Sequence, residues 1–199
     1  MRLFLATRND GKLAEMRRIL VAGVEVVGLD AVTPYDEPAE DRPTFEGNAL
    51  LKARAGLAAT GLPSVADDSG LCVDALNGMP GVLSARWSGP PKSDVRNNEL
   101  LLAQLADVPD ERRAAHFVCA VAFCALSGDE LVVRGEMPGR IVHGVRGAGG
   151  FGYDVVFEAD DRPGVTTAEL SVPDKDAISH RGRALRQLAP QVAARLRPT

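Results

Sequence analysis

Leu3, Phe4, Leu5 and Ala6 form an unbroken apolar run near the start of the chain, and the polar stretch Thr7-Arg8-Asn9-Asp10-Gly11-Lys12 follows it. Leu13, Met16 and Leu20 then recur at helical spacing. This pattern predicts a buried strand over 2–6, a short polar loop and a helix over 11–21. Val24 to Leu29 reads as a second strand. A polar loop from Thr33 to Pro43, rich in proline and acids, leads into an Ala- and Leu-rich helix over 45–60 that Gly61 closes. Ser64 to Ala66 reads as a short strand running into Asp67-Asp68-Ser69-Gly70.

In the second half, residues 77–92 are rich in glycine and proline and predict irregular structure. Ser93 is placed to cap a helix over 94–106. Ala115 to Leu126 is apolar on both alternating faces, the pattern of a central strand covered on both sides. Ser127-Gly128-Asp129 can turn it back into Leu131 to Gly135 and then Gly139 to Val142, a β-meander. After the glycine-rich residues 144–154, Val155 to Glu158 reads as another strand. The last element, about 176–196, is a helix with Ile178, Leu185, Leu188, Val192 and Leu196 on one face, which Pro190 must kink or split. Strands mixed with helices along one chain, with no repeat and no linker, predict a single domain over 1–199 of α/β class with an α+β mixed sheet.

Composition narrows the function. Of 199 residues, 45% are apolar and 25% charged, and the formal charge is −4. Such a weakly acidic chain is poorly suited to coating a nucleic-acid duplex, so no nucleic-acid partner is expected. No apolar run reaches the roughly 18 residues of a membrane span, and the initial run is too short for a signal peptide. A cytoplasmic protein with no membrane partner is therefore expected. Cys72, Cys119 and Cys124 lie in apolar surroundings and read as buried reduced thiols. No Cys-x-x-Cys or close Cys/His pair suggests zinc.

Six stretches have candidate chemistry. Thr7 to Lys12, between a strand and a helix, either cradles an anion on free N–H groups or only turns the chain. Lys12 in the first helical turn would oppose the helix dipole, which favours a bound anion. The spacing is not that of a P-loop. Asp67-Asp68 places two carboxylates side by side. Alternation sends one inward and the other to a site, and two such acids are not expected both to be buried without a cation. Paired hard oxygens suit Mg²⁺. The acidic loop, Glu37 to Asp41, can add a carboxylate or be a solvated loop. Asn48 and Lys52 lie one turn apart on the following helix. Phe151 and Tyr153, at i and i+2 after a run of glycines, fall on one side of an extended segment and could stack on a base or be core aromatics. Lys175, His180 and Arg181 gather basic groups near a helix start. His116 and His143 have no obvious partner in sequence.

Together these motifs resemble those of the inosine triphosphate pyrophosphatase family, the dITP/XTP pyrophosphatases that remove non-standard purine nucleotides. The family's order is a T-x-N-x-x-K loop, a T-F-x-x-N-A-x-x-K-A helix, D-D-S-G-L, P-G-x-x-S-A-R, G-G-F-G-Y-D and S-H-R-G. In this chain they fall at Thr7–Lys12, Thr44–Ala53, Asp67–Leu71, Pro80–Arg86, Gly149–Asp154 and Ser179–Gly182. The resemblance implies an elongated mixed sheet flanked by helices in two lobes, a homodimer, Mg²⁺ dependence, and cleavage of ITP, dITP or XTP to the nucleoside monophosphate and pyrophosphate. By position it implies that Thr7, Arg8, Asn9, Asp10, Gly11 and Lys12 cradle the triphosphate, with Lys52 balancing its charge. Asp68 would bind metal and act as general base, with Ser69 touching substrate. Glu40 would be the second metal ligand, with Asp36, Glu37 and Asp41 as rivals. Phe151, Gly152, Tyr153, Asp154, Lys175, His180 and Arg181 would hold the nucleoside and phosphates. Arg8 stands where many members have glycine.

A donor from His180 or Arg181 to a 6-oxo purine would reject adenine, whose 6-amino group is itself a donor. Two other readings compete: a Maf-like nucleotide pyrophosphatase of different specificity, and a non-catalytic nucleotide-binding module.

Overall fold

The computed structural model describes residues 2–7, 13, 14, 17 and 25–196. Six strands, β1 (Arg2–Leu5), β2 (Glu25–Val27), β3 (Ser64–Val73), β4 (Ala114–Cys124), β5 (Glu130–Ile141) and β6 (Phe157–Ala159), form one sheet in the order β2-β1-β3-β4-β5-β6. β1 runs parallel to both β2 and β3, whereas β5 and β6 are antiparallel, so the sheet is mixed. The helices are α1 (Phe45–Thr60), α2 (Asp94–Gln104), α3 (Val172–Ile178) and α4 (His180–Arg195). Leu13, Ala14 and Arg17 are helical; the other positions of the helix predicted over 11–21 lie outside the described residues or end at them. Among the described residues no helix is long and apolar enough to cross a membrane.

The chain divides into two compact units. One comprises residues 1–68, 119–135 and 181–199, the other 69–118 and 136–180. In the first, Leu3, Leu5, Val65, Val121 and Phe123 from the strands meet Leu185, Leu188 and Val192 from α4. In the second, Leu71, Leu101, Leu105, Phe117, Met137, Ile141 and Phe157 form the core. All three cysteines are buried, and none is in a disulfide. The second unit also buries Arg113, whose guanidinium donates to the carbonyls of Leu105, Val108, Ile141 and Val142. Those carbonyls replace the water that the cation has lost.

Several element boundaries differ from the periodicity reading. β3 does not stop at Ala66 but runs through both aspartates to Val73. β5 is one strand rather than two, continuing through Pro138 and Gly139. A Cβ at Gly139 would overlap the Glu158 carbonyl of β6, so a bare backbone is what lets β6 pair there. Residues 81–86, predicted irregular, form a 3₁₀ helix, and so do 154–156, leaving only Phe157–Ala159 as strand. The C-terminal helix is split, but at Ser179 rather than at Pro190. Ser179 is extended (φ −60°, ψ 145°) while α4 runs through Pro190 to Arg195.

The caps follow the sequence. Thr44 Oγ1 accepts from the Gly47 amide, and Ser93 Oγ accepts from the Arg96 amide. Within the first unit Gly56 of α1 packs tightly: a Cβ there would stand 2.5 Å from Ser64 Oγ and 2.9 Å from Phe4 Cε1. In an open helix Gly→Ala gains up to about 1 kcal/mol, but overpacking a core costs about 1–3 kcal/mol. Gly56→Ala should therefore lower unfolding free energy by about 1–2 kcal/mol in urea titration. A variant as stable as the parent would show that the α1–β1 contact is not tight.

Candidate active site

The first unit holds a buried charge cluster on β3. Asp67 and Asp68 are only 2% and 6% exposed. Successive strand residues point to opposite faces, so each needs its own partners. Asp67 Oδ2 accepts from the Arg181 Nε at 3.3 Å, and Arg181 is itself fully buried. Asp68 Oδ2 accepts from Asn48 Nδ2 at 2.9 Å, and its Oδ1 lies 3.7 Å from Lys52 Nζ. Lys52 also donates to Glu40 Oε1 at 2.6 Å.

α1 positions two of these groups at once. Asn48 and Lys52, one turn apart, share a helix face. The Asn48 side chain is oriented by its other end, because Oδ1 accepts from the Arg42 amide at 3.0 Å and so Nδ2 is turned toward Asp68. Burial alone would pull the Lys52 pKa down, but the charges of Asp67, Asp68 and Glu40 and the hydrogen bond to Glu40 outweigh it and hold the pKa above the ordinary lysine value. A raised cation pKa means a stabilisation that is whole below the ordinary value and lost only as pH climbs through the raised one. Lys52 is thus fully charged at neutral pH.

The expectation that both aspartates would not be buried without a cation is met in a specific way: two protein cations lie against the carboxylates. The donor set fits a hard divalent ion. Glu40 and Asp68 offer carboxylate oxygens that already converge on one ammonium, and Mg²⁺ is commonly held by one or two carboxylates together with substrate phosphates. Among the described residues no group of three or more His, Cys, Asp or Glu side chains forms a self-contained metal cage.

In the second unit, the Gly149–Asp154 loop is tied down by side chains. Asp154 is buried, and its Oδ2 accepts from the Phe151 amide at 2.8 Å and from Lys175 Nζ at 2.5 Å. Its Oδ1 accepts from Thr167 Oγ1 at 2.8 Å. A Cβ at Gly150 would overlap the same carboxylate, so that position admits only glycine without rearrangement. The two aromatics do not share a side. The Phe151 ring is 41% exposed with Lys175 Nζ 5.1 Å from its centroid, whereas Tyr153 is buried and donates its hydroxyl to the Ser84 carbonyl at 2.9 Å. Burial, aided by the Asp94 charge, pushes the Tyr153 pKa up, so it remains a neutral donor. His180 stacks on Phe117, with ring centroids 4.9 Å apart and planes 12° from parallel.

The structure thus joins Glu40, Asn48, Lys52, Asp67, Asp68 and Arg181 in one unit, and Phe151, Asp154 and Lys175 in the other. Ser69 follows Asp68 directly on β3. Thr7 follows β1, while Arg8, Asn9, Asp10, Gly11 and Lys12 lie outside the described residues. Sequence reading did not single out Asp94, Asn98 or Thr167, and Ser84 entered it only as the serine of the Pro80–Arg86 motif, with no role given. The Asp94/Asn98 pair had a signal, i and i+4 polar residues just after the Ser93 cap. Thr167 contributes through an ordinary hydroxyl, which leaves no signature.

A mixed sheet with a buried, charge-paired carboxylate cluster on a central strand defines an α/β protein with a polar site in its interior. The chain belongs to the Ham1 family, whose model matches residues 3–191. It is 64% identical over 197 residues to the dITP/XTP pyrophosphatase of Nocardia farcinica, covering 97% of this chain and 95% of that one. It is 58% identical to the dITP/XTP pyrophosphatase of Mycobacterium tuberculosis over 195 residues, covering 95% and 94%. Among solved structures, the Mycobacterium abscessus nucleoside-triphosphatase / dITP/XTP pyrophosphatase aligns with a TM-score of 0.79 and 55% identity, covering 96% of this chain and 100% of that one. The Staphylococcus aureus Ham1 protein aligns with a TM-score of 0.88 and 36% identity, covering 98% and 100%.

Removing the ammonium from this cluster should expose its electrostatics. Lys52→Met removes the ammonium that faces Asp68 and Glu40 and should cost about 3 kcal/mol at pH 7. The deficit should shrink near pH 4, where carboxylates can take up protons. Urea unfolding at both pH values checks this, and a deficit independent of pH would refute charge compensation.

Proposed function

We propose that this chain hydrolyses non-standard purine nucleoside triphosphates, of the ITP, dITP and XTP type, to the nucleoside monophosphate and pyrophosphate. The observation that carries the reading is Asp68, buried on β3 with one oxygen on Asn48 and the other facing Lys52, in a chain of the Ham1 family. Relatives named dITP/XTP pyrophosphatase at 64% and 58% identity support the substrate class.

In this reading Asp68 accepts a proton from the water that attacks the α-phosphorus, the bond from that phosphorus to the α–β bridging oxygen breaks, and pyrophosphate leaves. The base is held in place by Asn48, so little reorganisation is needed when the proton moves. Lys52 offsets charge developing on the phosphates. Mg²⁺ held by Asp68 and Glu40 would supply Lewis-acid polarisation of the phosphoryl oxygens. The loop Thr7 to Lys12 cradles the triphosphate, with Ser69 beside the base. For the nucleoside, the exposed ring of Phe151 offers a stacking face, Gly152, Tyr153 and Asp154 shape the loop that bears it, and Lys175 and His180 add donors. Arg181, fixed by its bond to Asp67, reads the 6-oxo group or steadies the acidic pair. We further propose a cytoplasmic homodimer that clears the nucleotide pool, with no nucleic-acid or membrane partner.

Asp68→Asn keeps the side-chain shape and an acceptor oxygen for Asn48 but removes the base. It should fold normally and lose about 10²–10⁴-fold in kcat for ITP. Pyrophosphate release from ITP, XTP, dUTP, GTP and ATP, with and without Mg²⁺, measures this and also separates the alternatives. Near-parental turnover by the variant would refute the assignment. Preference for dUTP would favour the Maf-like reading.

A further inference from the structure

The Gly149–Asp154 loop has a second set of restraints, from α2, that no motif of the family reading includes. Gly152 N–H donates to Asp94 Oδ2 at 2.8 Å, and Gly152 C=O accepts from Asn98 Nδ2 at 2.9 Å. One turn of one helix therefore grips both polar groups of a single residue. Gly152 adopts φ +64°, a left-handed conformation that nothing in its own side chain can enforce. Its two backbone hydrogen-bonding groups are the only polar handles by which the position can be fixed.

The two clamp residues are themselves rigid. Asp94 is the first residue of α2, next to the Ser93 cap. Asn98 is buried, and its Nδ2 also donates to the Asp94 carbonyl at 2.8 Å, so two acceptor carbonyls fix which way the amide points. Its Oδ1 is buried with no hydrogen-bond partner. Leaving a buried amide oxygen unsatisfied costs free energy. An apolar side chain of the same size would avoid that penalty, so stability alone gives little reason for asparagine here. The bond to Gly152 gives a reason.

We propose that Asp94 and Asn98 are positioning residues for substrate. By fixing the Gly152 peptide, they set the direction of the neighbouring Phe151 ring and so control nucleoside affinity rather than the phosphate chemistry. This inference rests on the nucleoside-binding reading of the loop given above. Asp154 fixes the loop from the other side, through the Phe151 amide. With both restraints in place, the ring is held without conformational search, and binding does not have to order it.

The test compares Asp94→Ala, Asp94→Asn and Asn98→Leu with the parent, reading KM and kcat for ITP, thermal midpoint, and hydrogen exchange of the loop amides without nucleotide. Asn98→Leu and Asp94→Ala should raise KM about tenfold with kcat within about twofold, and should speed exchange at residues 150–153. Asp94→Asn retains an amide-oxygen acceptor and should stay near the parent in both. Unchanged KM in Asn98→Leu, or unchanged loop exchange, overturns the clamp even if the parent hydrolyses ITP well. Equal KM losses in Asp94→Asn and Asp94→Ala also overturn it, since the acceptor would then not matter. If instead the parent releases no pyrophosphate from ITP, the functional reading falls, and the clamp's role in nucleotide affinity falls with it.

Discussion

Two carboxylates buried in the middle of a covered strand are the constraint on which the first unit depends. An isolated buried charge is so costly that the chain must bring compensating groups to it or protonate it. Asn48 and Lys52 can reach Asp68 only if α1 lies close against the strands, and Gly56 is where that closeness is visible. At that position a single methyl group would strike Phe4 and Ser64. The same requirement explains the acidic loop, since Glu40 engages the other side of the Lys52 ammonium. It also explains why α4 opens with a buried arginine, which answers Asp67 on the opposite face of β3. Fold and charge cluster are therefore one problem solved together.

The second unit meets a different demand with the same means. A glycine-rich loop has ample conformational freedom and little surface to bury, so it must be ordered by hydrogen bonds to its backbone. Asp154 takes the Phe151 amide, Asp94 and Asn98 take both sides of Gly152, and Tyr153 is anchored on the Ser84 carbonyl. The outcome is one exposed aromatic ring on a braced loop.

What the sequence revealed follows physical range. The central strand over 115–126, the helix over 45–60 and the Ser93 cap were legible because they depend on local periodicity and nearest-neighbour chemistry. The extent of β3 was not, because Asp-Asp-Ser-Gly looks like a turn unless distant cations make burial of its acids tolerable. The C-terminal break was misplaced because Pro190 removes only one helical donor, whereas the extended backbone of Ser179 is set by its surroundings. Phe151 and Tyr153 were read as a pair on one side, but the residue between them is a left-handed glycine, which destroys the alternation that reading assumed. Of the candidate site, residue types and their order were legible from motifs. The partnership of Arg181 with Asp67, across more than a hundred positions, was not.

The charge balance of the cluster bears on how it would handle a polyphosphate. Lys52 and Arg181 set two protein cations against Asp67, Asp68 and Glu40. Each buried carboxylate would still repel a triphosphate brought close to it in a low-dielectric setting, where unscreened charges act strongly. The proposed chemistry therefore needs added positive charge at the moment of binding. In the proposed reading a divalent cation held by Asp68 and Glu40 would supply part of it. Lys52 then has a dual character. Its ammonium lies against the acids and offsets their burial, and in the proposed reaction the same charge would offset that of the phosphates. A residue that serves stability in one state and catalysis in the other cannot be replaced without loss in both.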